Sequence, residues 1–210
     1  MSKFEQAPES IRRSELIDAT LDCISELGIQ ATTLRAVAAK AGVTNGLIRH
    51  HFANKTNLIV AAYRRSTELA IASSIEVLSS RDGTPKERLS ALIDAALSNP
   101  GASYRMLALW ATFISQTPID PLIAAARDES YANLRLLSKQ LIFDLLEDEG
   151  RSCTPAEIEN ATVAVHAVLD GLWIAICLET DKTKVESIVN LGTEMIAKIL
   201  SIKLPTGKSP

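Results

Sequence analysis

Apolar residues recur along nearly the whole chain at spacings of three and four, and strict alternation is almost absent, so the pattern predicts an all-α protein of about nine helices. The first helix, about Ser10 to Leu27, carries Ile11, Leu16, Ala19, Thr20, Cys23, Ile24 and Leu27 on one stripe. Punctuation fixes several later starts. Thr84-Pro85-Lys86-Glu87 and Thr154-Pro155-Ala156-Glu157 each place a capping Thr, a Pro at the first helical position and a Glu that can reach back. Thr183-Lys184-Val185-Glu186 repeats the box without the Pro, so helices are expected to begin near 84, 155 and 183. Gly28, Gly83, Gly101 and Gly150 follow periodic segments and read as stops, and the tail after Leu204 reads as a frayed end.

One short stretch has a different texture. Thr33 can cap a helix whose positions Leu34, Val37, Ala38 and Ala41 follow the i, i+3, i+4, i+7 pattern, with alanines small enough for a second helix to cross closely. Ala41-Gly42-Val43-Thr44 then forms a turn: Gly42 tolerates positive φ, Val43 plugs the angle and Thr44 caps the next helix. That helix, Asn45 to His51, keeps Ile48 and Phe52 inward and shows Asn45, Leu47, Arg49, His50 and His51 on its other face, a form suited to a DNA major groove. Asn54 can cap a long following helix, about Lys55 to Ser80, with Lys55 in its first turn where a phosphate is favoured.

Charge sharpens this reading. The 210 residues carry a net charge of only −3, but from Ala31 to Thr67 there are six cations (Arg35, Lys40, Arg49, Lys55, Arg64, Arg65) and no Asp or Glu. Residues 1–67 carry a net +3 and residues 68–210 a net −6, so the N-terminal segment suits a polyanion and the remainder would be repelled by one. Met1 to Arg13 has no apolar stretch of signal-peptide length, and the longest apolar run, Ala161 to Leu178, holds His166, Asp170 and Gly171. A buried helix fits that run better than a membrane span, and a cytoplasmic location is the expectation. Cys23, Cys153 and Cys177 lie far apart without a CxxC pair, and His50 and His51 diverge by about 100° on a helix, so neither a disulfide framework, a metal site nor a cofactor is expected.

The run from Thr32 to Lys55 resembles the DNA-binding domain of TetR-family transcriptional regulators, in its AGV turn, Gly46, the His51-Phe52 pair and Lys55. Glu9 to Leu21, Gly46-Leu47-Ile48, Val168-Leu169-Asp170-Gly171-Leu172-Trp173 and the Trp110 to Phe113 aromatic pair resemble the BetI-type, choline-responsive subgroup. The resemblance implies an N-terminal three-helix DNA-binding domain (1–54) and a C-terminal helical effector-binding and dimerisation domain (55–210), with the helix 55–80 joining them. It implies phosphate contacts from Thr33, Thr44, His51 and Lys55, and base reading by Arg35, Asn45, Leu47, Arg49 and His50. Most members have Tyr where this chain has Arg49, so that cation can read a base or hold a phosphate.

Six of the nine aromatics fall between residues 104 and 173. Tyr104, Trp110, Phe113, Tyr131 and Trp173, with Asp170 one turn before Trp173, form a candidate effector site, since aromatic faces attract a quaternary ammonium such as choline. The same residues could equally fill a core, and Asp170 could serve only to hydrogen-bond His166. Ala164, Ala167, Gly171 and Ala175 form a stripe of small residues, and with Val189, Gly192 and Ile196 of the last helix they are candidates for a homodimeric four-helix bundle. The expected function is therefore a ligand-responsive, DNA-binding transcriptional repressor. An effector-less architectural DNA-binding module and, with no catalytic constellation to support it, a small all-α enzyme are the alternatives.

Overall fold

A computed structural model of the chain describes residues 9–98 and 103–204; Gly101, the residues before Glu9 and the tail beyond Leu204 lie outside them. Nine α-helices run through the described residues: α1 (Glu9–Ala31), α2 (Leu34–Ala41), α3 (Asn45–Phe52), α4 (Lys55–Ser79), α5 (Pro85–Leu97), α6 (Tyr104–Gln116), α7 (Pro121–Asp148), α8 (Pro155–Leu178) and α9 (Val185–Leu200).

The local punctuation acts as its chemistry dictates. Thr84 and Thr154 each accept the amide three residues on at 3.3 Å, while Glu87 and Glu157 accept the threonine amides at 2.8 and 2.7 Å, completing two capping boxes. Donation by those backbone amides holds both carboxyls below the usual glutamate range. Thr183 behaves differently, and the expected third box is absent. Its amide and hydroxyl both go to Asp181 Oδ1, at 3.1 and 2.7 Å, in a local turn that leads into a 3-10 turn at Lys182–Lys184. Helix α9 therefore begins behind Lys184 with no side-chain cap.

Two compact units emerge. One comprises the described residues of Met1–Glu68 and Ala108–Ser130, the other those of Leu69–Leu107 and Tyr131–Pro210. This division differs from a boundary at 54/55. Leu58, Ile59, Ala62 and Tyr63 of α4, with Leu109, Phe113, Ile123 and Ala126 from α6 and α7, are buried members of the first unit alongside Leu16, Cys23, Ile24, Val37, Ile48 and Phe52. On α1 the stripe is buried in its middle, while Ile11 (49% exposed) and Leu27 (53%) at its two ends are not covered. Periodicity sets the face of a helix but not how far along it the neighbours extend. The second unit is built around Leu89, Ile93 and Leu97 of α5, Leu141, Ile142 and Leu145 of α7, Val165 and Leu169 of α8, and Ile196 and Leu200 of α9. Helices α5, α8 and α9 pack on one another there.

Candidate nucleic-acid interface

The reading helices are held by caps at both ends. Thr33 Oγ1 accepts the Ala36 amide at 3.1 Å, and α2 stops at Gly42, whose φ of 67° is a left-handed value that favours glycine. The Val43 amide turns back to the Ala38 carbonyl at 2.9 Å, and Thr44 Oγ1 accepts the Leu47 amide at 3.4 Å to start α3. Val37, Ala38, Ile48 and Phe52 bury the inner faces of both helices, and α2 packs on α1 and on α3. Thr33, Arg35, Thr44, Asn45, Arg49 and His50 are exposed, and Leu47, His51 and Lys55 are half-buried. The structure thus brings all nine sequence-expected contact residues onto α2, α3, their caps and the first turn of α4. Helix α3 ends on Ala53, whose φ of 62° is unusual for a residue with a Cβ.

The carboxylate-free stretch is partly neutralised from elsewhere. Lys40 pairs with Glu26 of α1 at 2.5 Å, Arg64 with Glu129 of α7 at 2.5 Å, and Arg65 lies 3.9 Å from Asp18 and 3.8 Å from Glu68. Among the described residues Arg35, Arg49 and Lys55 have no carboxylate partner, so three uncompensated cations remain on α2, α3 and the start of α4. The Lys55 ammonium is not loose, however. It donates to the carbonyls of Ile29 and Gln30 at 3.1 and 3.3 Å, an arrangement that its expected role at a phosphate did not foresee.

Beside α3 lies an open groove of about 720 Å³ between α1 and α4, bordered by Ser10, Arg13, His51, Asn57 and Arg65, with Glu68 as its carboxylate. The Arg13 guanidinium sits 5.0 Å over the Phe52 ring. Among the described residues no group of three or more His, Cys, Asp or Glu is placed to hold a metal ion. Burial pushes the Cys23 thiol up, which leaves it an inert core group.

The expected effector residues divide between the units. Trp110 and Phe113 belong to the first, and Tyr104, Tyr131, Asp170 and Trp173 to the second. Phe113 is 1% exposed and stacks edge-on against Tyr63 at 5.1 Å, so it is a core ring and not a lining one. Burial also raises the Tyr63 hydroxyl pKa. Tyr104 is 73% exposed, Trp110 is half-buried, and Tyr131 and Trp173 are half-buried against the core of the second unit. Asp170 is exposed, and its charge reaches half-buried His166 one turn earlier, whose buried Nε2 has no hydrogen-bond partner among the described residues.

The expected dimer residues separate as well. Ala167, Gly171 and Ala175 are exposed, Ala164 is half-buried, and a Cβ on Gly171 would meet nothing within 4 Å. Val189, Gly192 and Ile196 instead face the interior of their own chain, which corrects their assignment. Ile196 is fully buried, and a Cβ on Gly192 would lie 2.9 Å from Leu97 and 3.0 Å from Leu172. The outward face of α9 carries Leu191, Met195 and Ile199, and that of α8 adds Val163 and Leu178. By length and composition α8 could cross a membrane, yet only 28% of its most apolar window is buried inside the chain, less than the sequence suggested.

Residues 16–62 match the pattern described as bacterial regulatory proteins, tetR family, and residues 85–201 match that of BetI-type transcriptional repressor, C-terminal. The chain belongs to the TetR family, with a BetI-type C-terminal domain. The HTH-type transcriptional regulator BetI of Proteus mirabilis is 30% identical over 92% of this chain and 94% of its own length. BetI of Escherichia coli is 28% identical, covering 86% and 91%. The crystal structure of a protein described as a transcriptional regulator from Pseudomonas aeruginosa superposes with a TM-score of 0.86 at 27% identity, over 95% of each chain. Another such structure, from Saccharomonospora viridis in complex with choline, shares the fold with a TM-score of 0.72 at 20% identity, over 90% and 96%. This TetR-family chain is thus a DNA-binding transcriptional repressor of the BetI type, and a regulator in place of an enzyme.

Sequence reasoning missed several residues of this TetR-family protein that the structure places beside α3 or leaves exposed on α8 and α9. Arg13 borders the groove beside α3, and its only signal was a cation near the start of α1. Leu191 and the pair Val163 and Leu178 lie on the outward faces of α9 and α8, where runs apolar on more than one side concealed which side was free.

Proposed function

We propose that this repressor works as a homodimer that sets α3 of each subunit into successive major grooves, about 34 Å apart, of a pseudo-palindromic operator. Binding of a small-molecule effector, a choline-like quaternary amine as the first candidate, releases it. Residues 1–54 read the DNA, and 55–210 take the effector and the second subunit. The observation that carries this reading is the set of cations without carboxylates among the described residues, Arg35 and Arg49 on the exposed α2–α3 face and Lys55 at the start of α4. Arg35, Asn45, Leu47, Arg49 and His50 supply base-edge chemistry, and Thr33, Thr44 and His51 supply phosphate donors.

The dimer rests on apolar surface that one chain leaves uncovered: Val163, Ala167, Gly171, Ala175 and Leu178 on α8, and Leu191, Met195 and Ile199 on α9. Packed against their two-fold copies, these faces make a four-helix bundle and bury the remainder of α8. Choline is favoured by the BetI relatives, by the choline complex of the neighbour with the same fold, and by half-buried Tyr131 and Trp173 of the second unit. A cytoplasmic location follows from work on DNA. Tenfold weaker operator binding in the presence of effector requires only about 1.4 kcal/mol of coupling.

Selecting bound fragments from genomic DNA, then adding choline and related quaternary amines, tests both halves. The expected result is a palindromic consensus whose complex is released by one of these amines. A protein that selects no sequence refutes the operator reading, and one that stays on its operator with every ligand it binds is an effector-less module.

A further inference from the structure

Lys55 lies at the first position of α4, and its side chain reaches back to α1. Its Nζ donates to the carbonyl of Ile29 at 3.1 Å and of Gln30 at 3.3 Å, across 26 and 25 residues of sequence. Both carbonyls lie just beyond Gly28, where a φ of 79° and ψ of 163° break the helical path of α1. The Thr32 amide and hydroxyl return to the Gly28 carbonyl at 3.2 and 2.8 Å, so that oxygen is satisfied locally. The carbonyls of a last helical turn have no partner within the helix, and an ammonium suits them because it offers three donors and favours the negative helix end.

The position of this contact gives it consequence. The chain between Gln30 and Lys55 is α2, the turn, α3 and their caps, that is, the entire reading segment. Lys55 therefore fastens the two ends of that segment together, and it does so with charge-assisted hydrogen bonds, which are stronger than neutral ones. The carbonyls bear no net charge, so the strap leaves the cation available to a phosphate.

We propose that Lys55 is a positioning residue: a strap from α4 to the last turn of α1 that fixes the frame of α2 and α3 before DNA arrives. This rests on the operator-binding reading above. A residue that only neutralises a phosphate adds equally to binding of any sequence, whereas one that holds the reading frame adds more to the operator, where several base contacts must be met together.

Amide hydrogen exchange of the DNA-free protein, wild type against Lys55→Met, reads the strap directly. Met keeps the aliphatic stem and removes the donors. Amides of residues 29–41 are expected to exchange about 10-fold or more faster, and the thermal midpoint to fall by a few degrees. Lys55→Arg, which retains charge and donors, is expected to restore most of the protection. The ratio of operator to non-specific affinity is expected to fall about 10-fold in Lys55→Met, a change that a uniform phosphate contact does not produce. If Lys55→Met does not fold, Lys55→Gln takes its place in both measurements. Unchanged exchange at 29–41, or equal loss on operator and random DNA, overturns the strap. A wild-type protein that selects no operator overturns the DNA reading instead, while the exchange measurement still stands.

Discussion

Two glycines on neighbouring helices are expected to respond oppositely to the same methyl group. Gly171 of α8 is exposed and its Cβ would meet nothing within 4 Å, whereas the Cβ of Gly192 on α9 would lie 2.9 Å from Leu97 Cδ1, 3.0 Å from Leu172 Cδ1 and 3.9 Å from Ile93 Cγ2. Replacing a helical Gly with Ala stabilises by about 1 kcal/mol through backbone propensity, and both sites share that gain. At Gly192 the crowded atoms are side-chain ends that could move, but Leu97 and Ile93 are fully buried in a packed core, so they have little room to yield. Overpacking of that kind costs about 1–3 kcal/mol. Gly192→Ala should therefore be about 1–3 kcal/mol less stable than Gly171→Ala, or roughly 2–12 °C lower in thermal midpoint for a chain of this size. Midpoints must be compared at one protomer concentration, because association raises apparent stability. Sedimentation adds a second readout: Gly171→Ala should change the dimer dissociation constant, since its methyl enters the proposed interface. If Gly192→Ala is as stable as Gly171→Ala but shifts the dimer equilibrium, Gly192 belongs to the interface and the core assignment is wrong.

Other outcomes can be stated briefly. Lys40→Ala should leave the salt dependence of DNA binding nearly unchanged because Glu26 already compensates that cation, whereas Arg49→Ala should flatten the slope by about 1 or relax one base position; an Arg49→Ala variant with both slope and base preference unchanged would refute the division between paired and unpaired cations. Burial holds the His166 imidazole below its ordinary pKa, with Arg135 pushing the same way and Asp170 opposing both. The unfolded chain therefore takes up the proton first as pH falls below about 6.5, so stability present above that pH is lost as it drops toward the folded pKa. Denaturant midpoints at pH 7.5, 6.5 and 5.5 should show a shallower loss in His166→Gln, and an unchanged slope would count against it. Ala53→Gly at the end of α3 should relieve the positive φ and cost no stability, with a gain of about 1 kcal/mol by urea titration, and a clear loss would show that Ala53 is unstrained.

How much of this protein was legible from its residues depended on how local each interaction is. Thr33, Thr44, Thr84 and Thr154 each bond an amide three residues away, so the caps and the helix-turn-helix could be read from spacing alone. Gly42 was readable for the same reason. Thr183 broke the pattern because a competing acceptor, Asp181, stands two residues before it, and a motif does not report its rivals. The aromatic cluster was less legible still. Nearness in sequence between 104 and 173 says nothing of which rings share a space, and Phe113 found Tyr63, fifty residues earlier, in place of its expected companions.

The chain by itself therefore determined the all-helical class, the helix ends whose caps are local, the reading helices and the separation of charge between its two parts. Tertiary structure decided which cations are uncompensated, since Glu26 and Glu129 reach Lys40 and Arg64 from 14 and 65 residues away. It also decided which side of α9 is core. Val189, Gly192 and Ile196 and the row Leu191, Met195 and Ile199 are both apolar stripes of helical period. Periodicity identifies a face that prefers to leave water, and only the position of α5 and α8 fixes which face is covered by the same chain.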